Sequence, residues 1–599
     1  MANLRQQGIY AQSLPTKKSK TVQPSDFLIG GIIGQFERKY LQAWLCNSPD
    51  EFHEIFGSNI ISSWYGNDAV KGFFDNIVGT SGKLYVKSHV GFGTAIDAVV
   101  ALATLVDQAG SPLSTLKLES AYQSVKDYGV SGNRTGYKIV NGARFTTALN
   151  GATGASDLFV VVNSVAGVKV GDIIKVAHTS PIYRKVTGVD EATNKIAFAG
   201  VTGAVIADAV AVTVLGFQLK TYRQSINGVV SEVETELGKV WCTMEAEISD
   251  FYVNNVHSSN KWLMATDLGS ASTTNETFPA EVATVTYLLT GADGTAPTTA
   301  AHWASDLTAL NNLPVRFIAN CETTDVTIQK AIETYCRGRD DNPKTIYNIA
   351  ENRTKAQLIT IGNNYQRSDD VLGVIQAHWY TVTDPFSTST LSPDRNVPSV
   401  GHVMGLWIRS IGTLGIHYIP AVVQLPVFGI TGIVGVDFPN ETDRTDLCNA
   451  GINVTQNLKG SGYTVRSFYT PSTTQEFKFA NGILMREFIK VSVKDSLADT
   501  INEPNNFDRI KVSRDAVLAF FLLLWSRGST GYVPEGETFG QSLNTDGSAT
   551  KFEDHVQVQA DLFNNPQANI NAGERNIDSW FTYPAPAASI KIGVGLILR

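Results

Sequence analysis

His53-Glu54 opens the pattern by which a helix presents two zinc-binding histidines and a general base, but the second histidine would have to stand at Gly57. Gly82-Lys83 has the glycine–lysine pair of a phosphate-binding loop. The Ser or Thr that should follow is absent, and Ile77 occupies the place of the leading glycine. Gly91-Phe92-Gly93 follows a strand-like run and precedes an apolar one, yet a dinucleotide fingerprint needs Gly or Ala where Ile96 stands. No Gly-x-Ser-x-Gly elbow occurs. Cys321 and Cys336 fall in core-like positions rather than beside a histidine base, and the nine histidines include no pair at helical metal-ligand spacing. The reading is therefore no catalytic residue, no cofactor and no metal. One route stays open, since a triad can assemble from residues far apart in sequence.

The composition is that of a large globular protein. Its 599 residues allow several domains, with 43% hydrophobic and 17% charged residues. A net charge of −8 argues against nucleic acid as a partner, and the one basic cluster, Lys17-Lys18-Ser19-Lys20, reads as a solvated tail. Met1–Pro24 is polar without an apolar centre, and the strongly apolar run Val517–Trp525 is too short to cross a bilayer. The expectation is folding in a cytoplasm without membrane insertion. The five cysteines (Cys46, Cys242, Cys321, Cys336, Cys448) are odd in number and unpaired in spacing, as reduced and mostly buried thiols would be.

Periodicity supplies the elements. Gly8–Ser13, around Ile9 and Tyr10, can make one short strand if another chain supplies the sheet. Phe27–Phe36 is a buried-type strand, and Ser48-Pro49-Asp50-Glu51 opens a capped helix carrying Phe52, Ile55 and Phe56. A second helix spans Gly66–Asn76, followed by strand Lys83–Val90. From Leu158 to Phe217 the chain is rich in Val, Thr, Gly and Ala in short alternating strands, a small all-β module. The α/β signal is expected to resume with strand Phe217–Tyr222. It culminates in Tyr287–Arg339, where strand Tyr287–Leu289, a helix with Trp303, Leu307 and Leu310, strand Val315–Ala319 and a helix with Ile328, Ile332 and Tyr335 imply a parallel sheet. Lys344–Ile349 and Val371–Trp379 read as further strands. Two long helices follow, one with Met485, Ile489, Val493, Leu497 and Ile501 at i+4 spacing, the other over about 507–527. In Ala588–Arg599, Ile590, Ile592, Val594, Leu596 and Leu598 share one face of a terminal strand that must find a partner.

Several of these stretches resemble the sheath proteins of contractile-tailed bacteriophages and related injection machines. The resemblance lies in Leu289-Thr-Gly-Ala-Asp-Gly294, Ser131-Gly132-Asn133 before a strand, Val397-Pro398-Ser399, Glu503-Pro504-Asn505 between the long helices, and Asn564-Asn565-Pro566 before a final strand. The usual Trp-Gly-Ala-Arg-Thr run is replaced here by Val465-Arg466-Ser467-Phe468-Tyr469. The resemblance implies a multidomain α/β protein. Its expected parts are an N-terminal arm (1–25), an N-terminal α/β part (26–150), the inserted β module (151–216), a central subtilisin-like but non-catalytic α/β domain (217–440), an α+β C-terminal domain (441–585) and a C-terminal strand (586–599). It implies a structural subunit of a phage tail, assembled in the host cytoplasm as hexameric rings stacked helically around a tail tube, and meeting baseplate and tail terminator proteins. Contraction would drive the tube through the host envelope. Strand exchange between subunits falls on Ile9, Tyr10, Ile590, Ile592, Val594 and Leu596, and tube contact on Asp508, Arg509, Lys511, Arg514 and Asp515. Two other readings remain: the sheath of a phage-derived injection particle or secretion system, and a subtilisin-like hydrolase with an accessory β module.

Overall fold

The computed structural model describes residues 22–586, apart from 59–62, 93–94, 259, 270–276 and 384–393. Its centre is a seven-stranded sheet of β1 (Ile29–Gly34), β2 (Trp44–Cys46), β3 (Lys83–Ser88), β4 (Phe317–Asn320), β5 (Lys344–Tyr347), β6 (Gly373–Gln376) and β7 (Ile452–Asn453). The order is β2-β3-β1-β4-β5-β6-β7, every pair parallel except β2 with β3. Both faces are covered, so the strands are apolar on both sides. Ile29 and Ile33 of β1 and Ile318 of β4 face one core with Trp303, Ile328 and Ile332. Ile32, Phe317 and Ala319 face the other with Phe73, Met404 and Trp407.

Among the described residues the helices of eight residues or more are α1 (Pro49–Phe56), α2 (Gly66–Asn76), α3 (Ala300–Thr308), α4 (Val326–Gly338), α5 (Lys355–Tyr365), α6 (Val400–Thr413), α7 (Glu441–Asn449), α8 (Ala480–Leu497) and α9 (Phe507–Arg527). Ser48 caps α1 through its side chain, as the sequence predicts, and Asp325 caps α4 in the same way. Ile501 lies beyond α8 and is exposed, so the ridge stops one turn earlier than its spacing predicts.

Between β3 and α3 the chain makes a mostly antiparallel β region. Two fourteen-residue strands, Thr135–Ala148 and Ala211–Gln224, pair from Ala211↔Ala148 to Arg223↔Thr135. At about 3.4 Å per residue they run on the order of 45 Å. One end joins a core with Leu116, Leu118, Ile139, Phe217 and Leu219, and the other carries the small module with Val160, Ile174, Ile196 and Val212.

This topology corrects three expectations. Phe217–Tyr222 is the inner half of an antiparallel strand and does not resume the parallel sheet. The strand near Tyr287 is Val282–Tyr287, antiparallel to Thr135–Ala148. Its half-exposed alternation, with Leu289 exposed just after it, is that of a one-sided sheet rather than a buried parallel strand. The partition at 150 and 440 does not follow the sheets either. β1 and β3 hydrogen-bond into the same sheet as β4–β7, and β7 lies beyond residue 440. The chain is thus a mixed α/β protein of several sheets, in which the β region interrupts one α/β layer.

Candidate functional site

Residues near both limits of the described chain pack against one helix. Residues 22–27 run extended and antiparallel to α8. The Gln23 amide donates to Ser496 Oγ (2.9 Å), the Ser25 amide to Ser492 Oγ (2.9 Å), and the Phe27 ring meets Phe488 edge-on at 5.3 Å. Two residues of extended chain match one helical turn, so the three contacts repeat without slack. At the other end of α8 Asn481 Nδ2 donates to the Pro584 carbonyl (3.1 Å), and the Tyr583 ring lies over Gly482. The two anchors are about 20 Å apart along the helix axis. Ile9, Tyr10, Ile590, Ile592, Val594 and Leu596 lie outside the described residues.

Asp508, Arg509, Lys511, Arg514 and Asp515 sit on the first turns of α9. Asp508, Lys511 and Asp515 are exposed, and Arg509 and Arg514 are half-exposed. Asn506 caps the helix by accepting from the Arg509 amide (3.0 Å), and Arg514 pairs with Asp515 at 2.8 Å. The charges form a mixed-sign solvent face with Val512 exposed among them.

In a doubly covered parallel sheet, ligands bind outside the carboxyl ends of the strands where the order reverses, here between β1 and β4. That crevice is filled by the protein's own groups. The Glu322 carboxylate accepts from the Gln35 amide (2.9 Å) and the Tyr65 amide (3.2 Å), next to the start of α2, where an anion would otherwise sit. Burial, only partly offset by those two amides, raises Glu322 to about 7. The fully buried Lys39 bonds Gln35 Oε1 and sits 4.2 Å from the centre of the Trp64 ring, and burial lowers it to about 8. Cys321 packs beneath them, its thiol pushed far up by burial.

The near-motifs have other employment. Glu54 on α1 pairs with Lys261. Gly82-Lys83 leads straight into β3, with the Lys83 amide donating to the Leu28 carbonyl (2.9 Å). Gly91–Phe92 pairs antiparallel with Ala95–Ile96 and does not open a helix. Among the described residues no group of three or more His, Cys, Asp or Glu is placed to hold a metal, and no helix is long and apolar enough to cross a membrane.

One constellation escapes the sequence entirely. Cys242, His257 and Asn260 meet in the core of the β region with the composition of a thiol-protease triad. Cys242 Sγ is 3.7 Å from His257 Nε2, and Asn260 Nδ2 is 3.0 Å from His257 Nδ1. No spacing rule marks the three, because the topology brings them together. The hydrogen bonds decide its chemistry. Asn260 Oδ1 accepts from the Trp262 and Leu263 amides, so its Nδ2 donates and His257 Nδ1 accepts. The ring proton is then on Nε2 and points at the sulfur, the reverse of a general base's arrangement. Burial raises Cys242 to about 12 and lowers His257 to about 4, which also opposes a thiolate–imidazolium pair. Cys46, Cys242, Cys321 and Cys336 are all buried, and Cys448 is half-buried. Alkylation at pH 8 followed by mass spectrometry is expected to modify Cys448 first and Cys242 only on unfolding; fast native labelling of Cys242 would contradict this assignment.

No family model matches the chain, and no curated protein matches it in sequence. Sheath proteins are among its structural neighbours. It is similar to a sheath tail protein from Listeria innocua, with 10% identity and a TM-score of 0.48, over 94% of this chain and 96% of that one. It is also similar to the contracted sheath complex of an extracellular contractile injection system, PVC (16%, TM-score 0.39, 48% of this chain and 74% of that one). The contracted helical sheath of the anti-feeding prophage gives 16%, a TM-score of 0.38, and 52% and 77% coverage.

Proposed function

We propose that this chain is a structural, non-enzymatic subunit of a contractile phage tail sheath. The observation that carries the reading is how two of the resembling motifs, far apart in sequence, are used. Leu289–Gly294 and the turn holding Ser131-Gly132-Asn133 interlock. Asn133 donates to the Gly291 carbonyl (3.0 Å) and accepts from its amide (2.8 Å), and Asp293 accepts from the Val130 amide (3.1 Å). A Cβ on Gly291 would stand 2.5 Å from the Gly129 carbonyl oxygen, which accounts for the glycine. The signature residues thus fix the corner where the β region meets the α/β layer.

In this reading the central α/β layer is the subtilisin-like domain of the family without its catalytic groups. Subunits form hexameric rings stacked helically around a tail tube, between baseplate and tail terminator, and assemble in the host cytoplasm. A heterologous contact that does not close on itself propagates such a tube, and two packings of rigid bodies supply the extended and contracted states. The segments 1–21 and 587–599, whose described neighbours Gln23 and Pro584 contact opposite ends of α8, pair as strands with neighbouring copies through Ile9, Tyr10, Ile590, Ile592, Val594 and Leu596. The mixed-charge face of α9 meets the tube.

Removing Ile590–Arg599 or Met1–Ser13 is expected to abolish tubes in negative-stain micrographs. The thermal midpoint should stay unchanged, because the anchors at Gln23–Phe27 and Tyr583–Pro584 are retained. Normal sheaths from either truncation would reject the exchange, and failure of the intact protein to assemble under any condition would reject the function.

A further inference from the structure

A cavity of about 440 Å³ opens at the carboxyl edge of the sheet, beyond β5 and between α4 and α5, within the size range of small-molecule sites. Val326, Ile349, Ala350 and Ile361 give it an apolar wall, and Arg353 and Tyr365 contribute its donors. Tyr365 is 2% exposed and its ring stacks on Tyr347 at 4.3 Å, yet its hydroxyl has no hydrogen-bond partner. Arg353 Nε is likewise buried without a partner, and the side chain forms no ion pair among the described residues. Nearby arginines differ in having an ion pair: Arg337, Arg339 and Arg367 each have a carboxylate at 2.7–2.8 Å, although Arg337 Nε is also buried without a partner. Two unsatisfied donors on an apolar wall are costly unless an acceptor arrives.

We propose that this cavity binds a small monocarboxylate with an apolar body. The carboxylate pairs with the Arg353 guanidinium, whose planar fork matches two oxygens. The Tyr365 hydroxyl is the further donor at hand, and the apolar body covers Val326, Ile349 and Ile361. A single negative charge fits better than a phosphate. The amino end of α4 is already satisfied by the Asp325 carboxylate, which accepts from the Thr327 and Ile328 amides (2.8 and 3.1 Å). It therefore offers a second anion nothing, and its own charge opposes a doubly charged one. The site does not depend on the sheath reading, since none of these residues belongs to the arms or to the α9 face.

The test uses the full-length protein with octanoate as probe and octanol as control, by calorimetry and thermal shift. Octanoate is expected to bind saturably at one site, with octanol at least about tenfold weaker. Arg353→Gln should weaken octanoate about tenfold, the loss of one charge-assisted contact, and Tyr365→Phe by less. Ala356→Trp, at the exposed mouth, should block binding without altering the fold. Absence of saturable octanoate binding, equal affinity for octanol, or unchanged binding by Arg353→Gln would each overturn the proposal. So would an Arg353→Gln protein that binds octanoate normally but no longer forms tubes, which would assign the arginine to a contact between copies.

Discussion

Asp306→Ala is expected to destabilise the protein by about 3–5 kcal/mol, the scale for breaking a buried ion pair by removing one partner. Asp306 on α3 is fully buried and holds two residues from the carboxyl end of the β3 segment. Its Oδ1 accepts from Lys87 Nζ at 2.7 Å, and its Oδ2 lies 2.6 Å from His89 Nδ1, both partners being 1% exposed. Alanine leaves an ammonium and an imidazole in the core with no counter-charge. Asp306→Asn keeps one acceptor and one donor in place and should cost clearly less. The pH dependence separates this mechanism from simple loss of packing. Burial already lowers the Lys87 pKa, despite the pull of Asp306 in the other direction. Without Asp306 it falls further, so the folded state binds fewer protons than the unfolded chain below the unfolded lysine value of about 10.4. Stability of the variant should therefore climb as pH rises toward 10, narrowing its deficit relative to the parent. Denaturant unfolding at pH 7 and pH 9.5 checks this, and a deficit that stays constant would rule out the buried lysine as its cause.

That buried triad also shows what the sequence could and could not reveal. Lys87, His89 and Asp306 are separated by the whole β region, and nothing in their local patterns announces a contact. Local signals were read well: the cap of α1, the extent of α2, the buried character of β1, and the all-β character of 158–217 follow from residue type and spacing. What failed was non-local. Val282–Tyr287 and Phe217–Tyr222 have strand-like composition, but which sheet they join depends on partners some 150 and 80 residues away, Thr135–Ala148 in both cases. The near-motifs were legible because each lacks a named residue at a fixed offset. The Cys242–His257–Asn260 cluster was illegible for the opposite reason: its geometry is set by the packing of two long strands against a loop. The two orphan donors of the 440 Å³ cavity belong to the same class, since an unsatisfied group is defined by what surrounds it.

Gly401→Ala is expected to cost about 3 kcal/mol or more, at or beyond the upper end for inserting one methyl into a packed interface. α2 and α6 cross so closely that a Cβ on Gly401 would stand 1.9 Å from the Ala69 carbonyl oxygen and 2.6 Å from its carbonyl carbon. These are backbone atoms of a helix, unable to swing aside as a side chain would. One turn on, a Cβ on Gly405 would stand 2.4 Å from the Phe73 carbonyl oxygen, so the helix cannot shift along its axis to relieve the first clash. The His402 ring packs over Gly72 in the same seam, where it is fully buried and lowered to about 3 by desolvation, and tilting the pair would uncover it. Gly338→Ala is the matched control. It ends α4, no atom lies within 4 Å of its would-be Cβ, and a methyl there should be neutral or stabilising by up to about 1 kcal/mol. Thermal unfolding of both variants checks the pair: the midpoint of Gly401→Ala should fall by several degrees, at roughly 2–4 °C per kcal/mol for a domain of 150–250 residues, while Gly338→Ala holds or rises. Equal midpoints would mean that the two helices separate at little cost. The seam could then not be the rigid plate that joins the β1–β3 half of the sheet to the β4–β7 half.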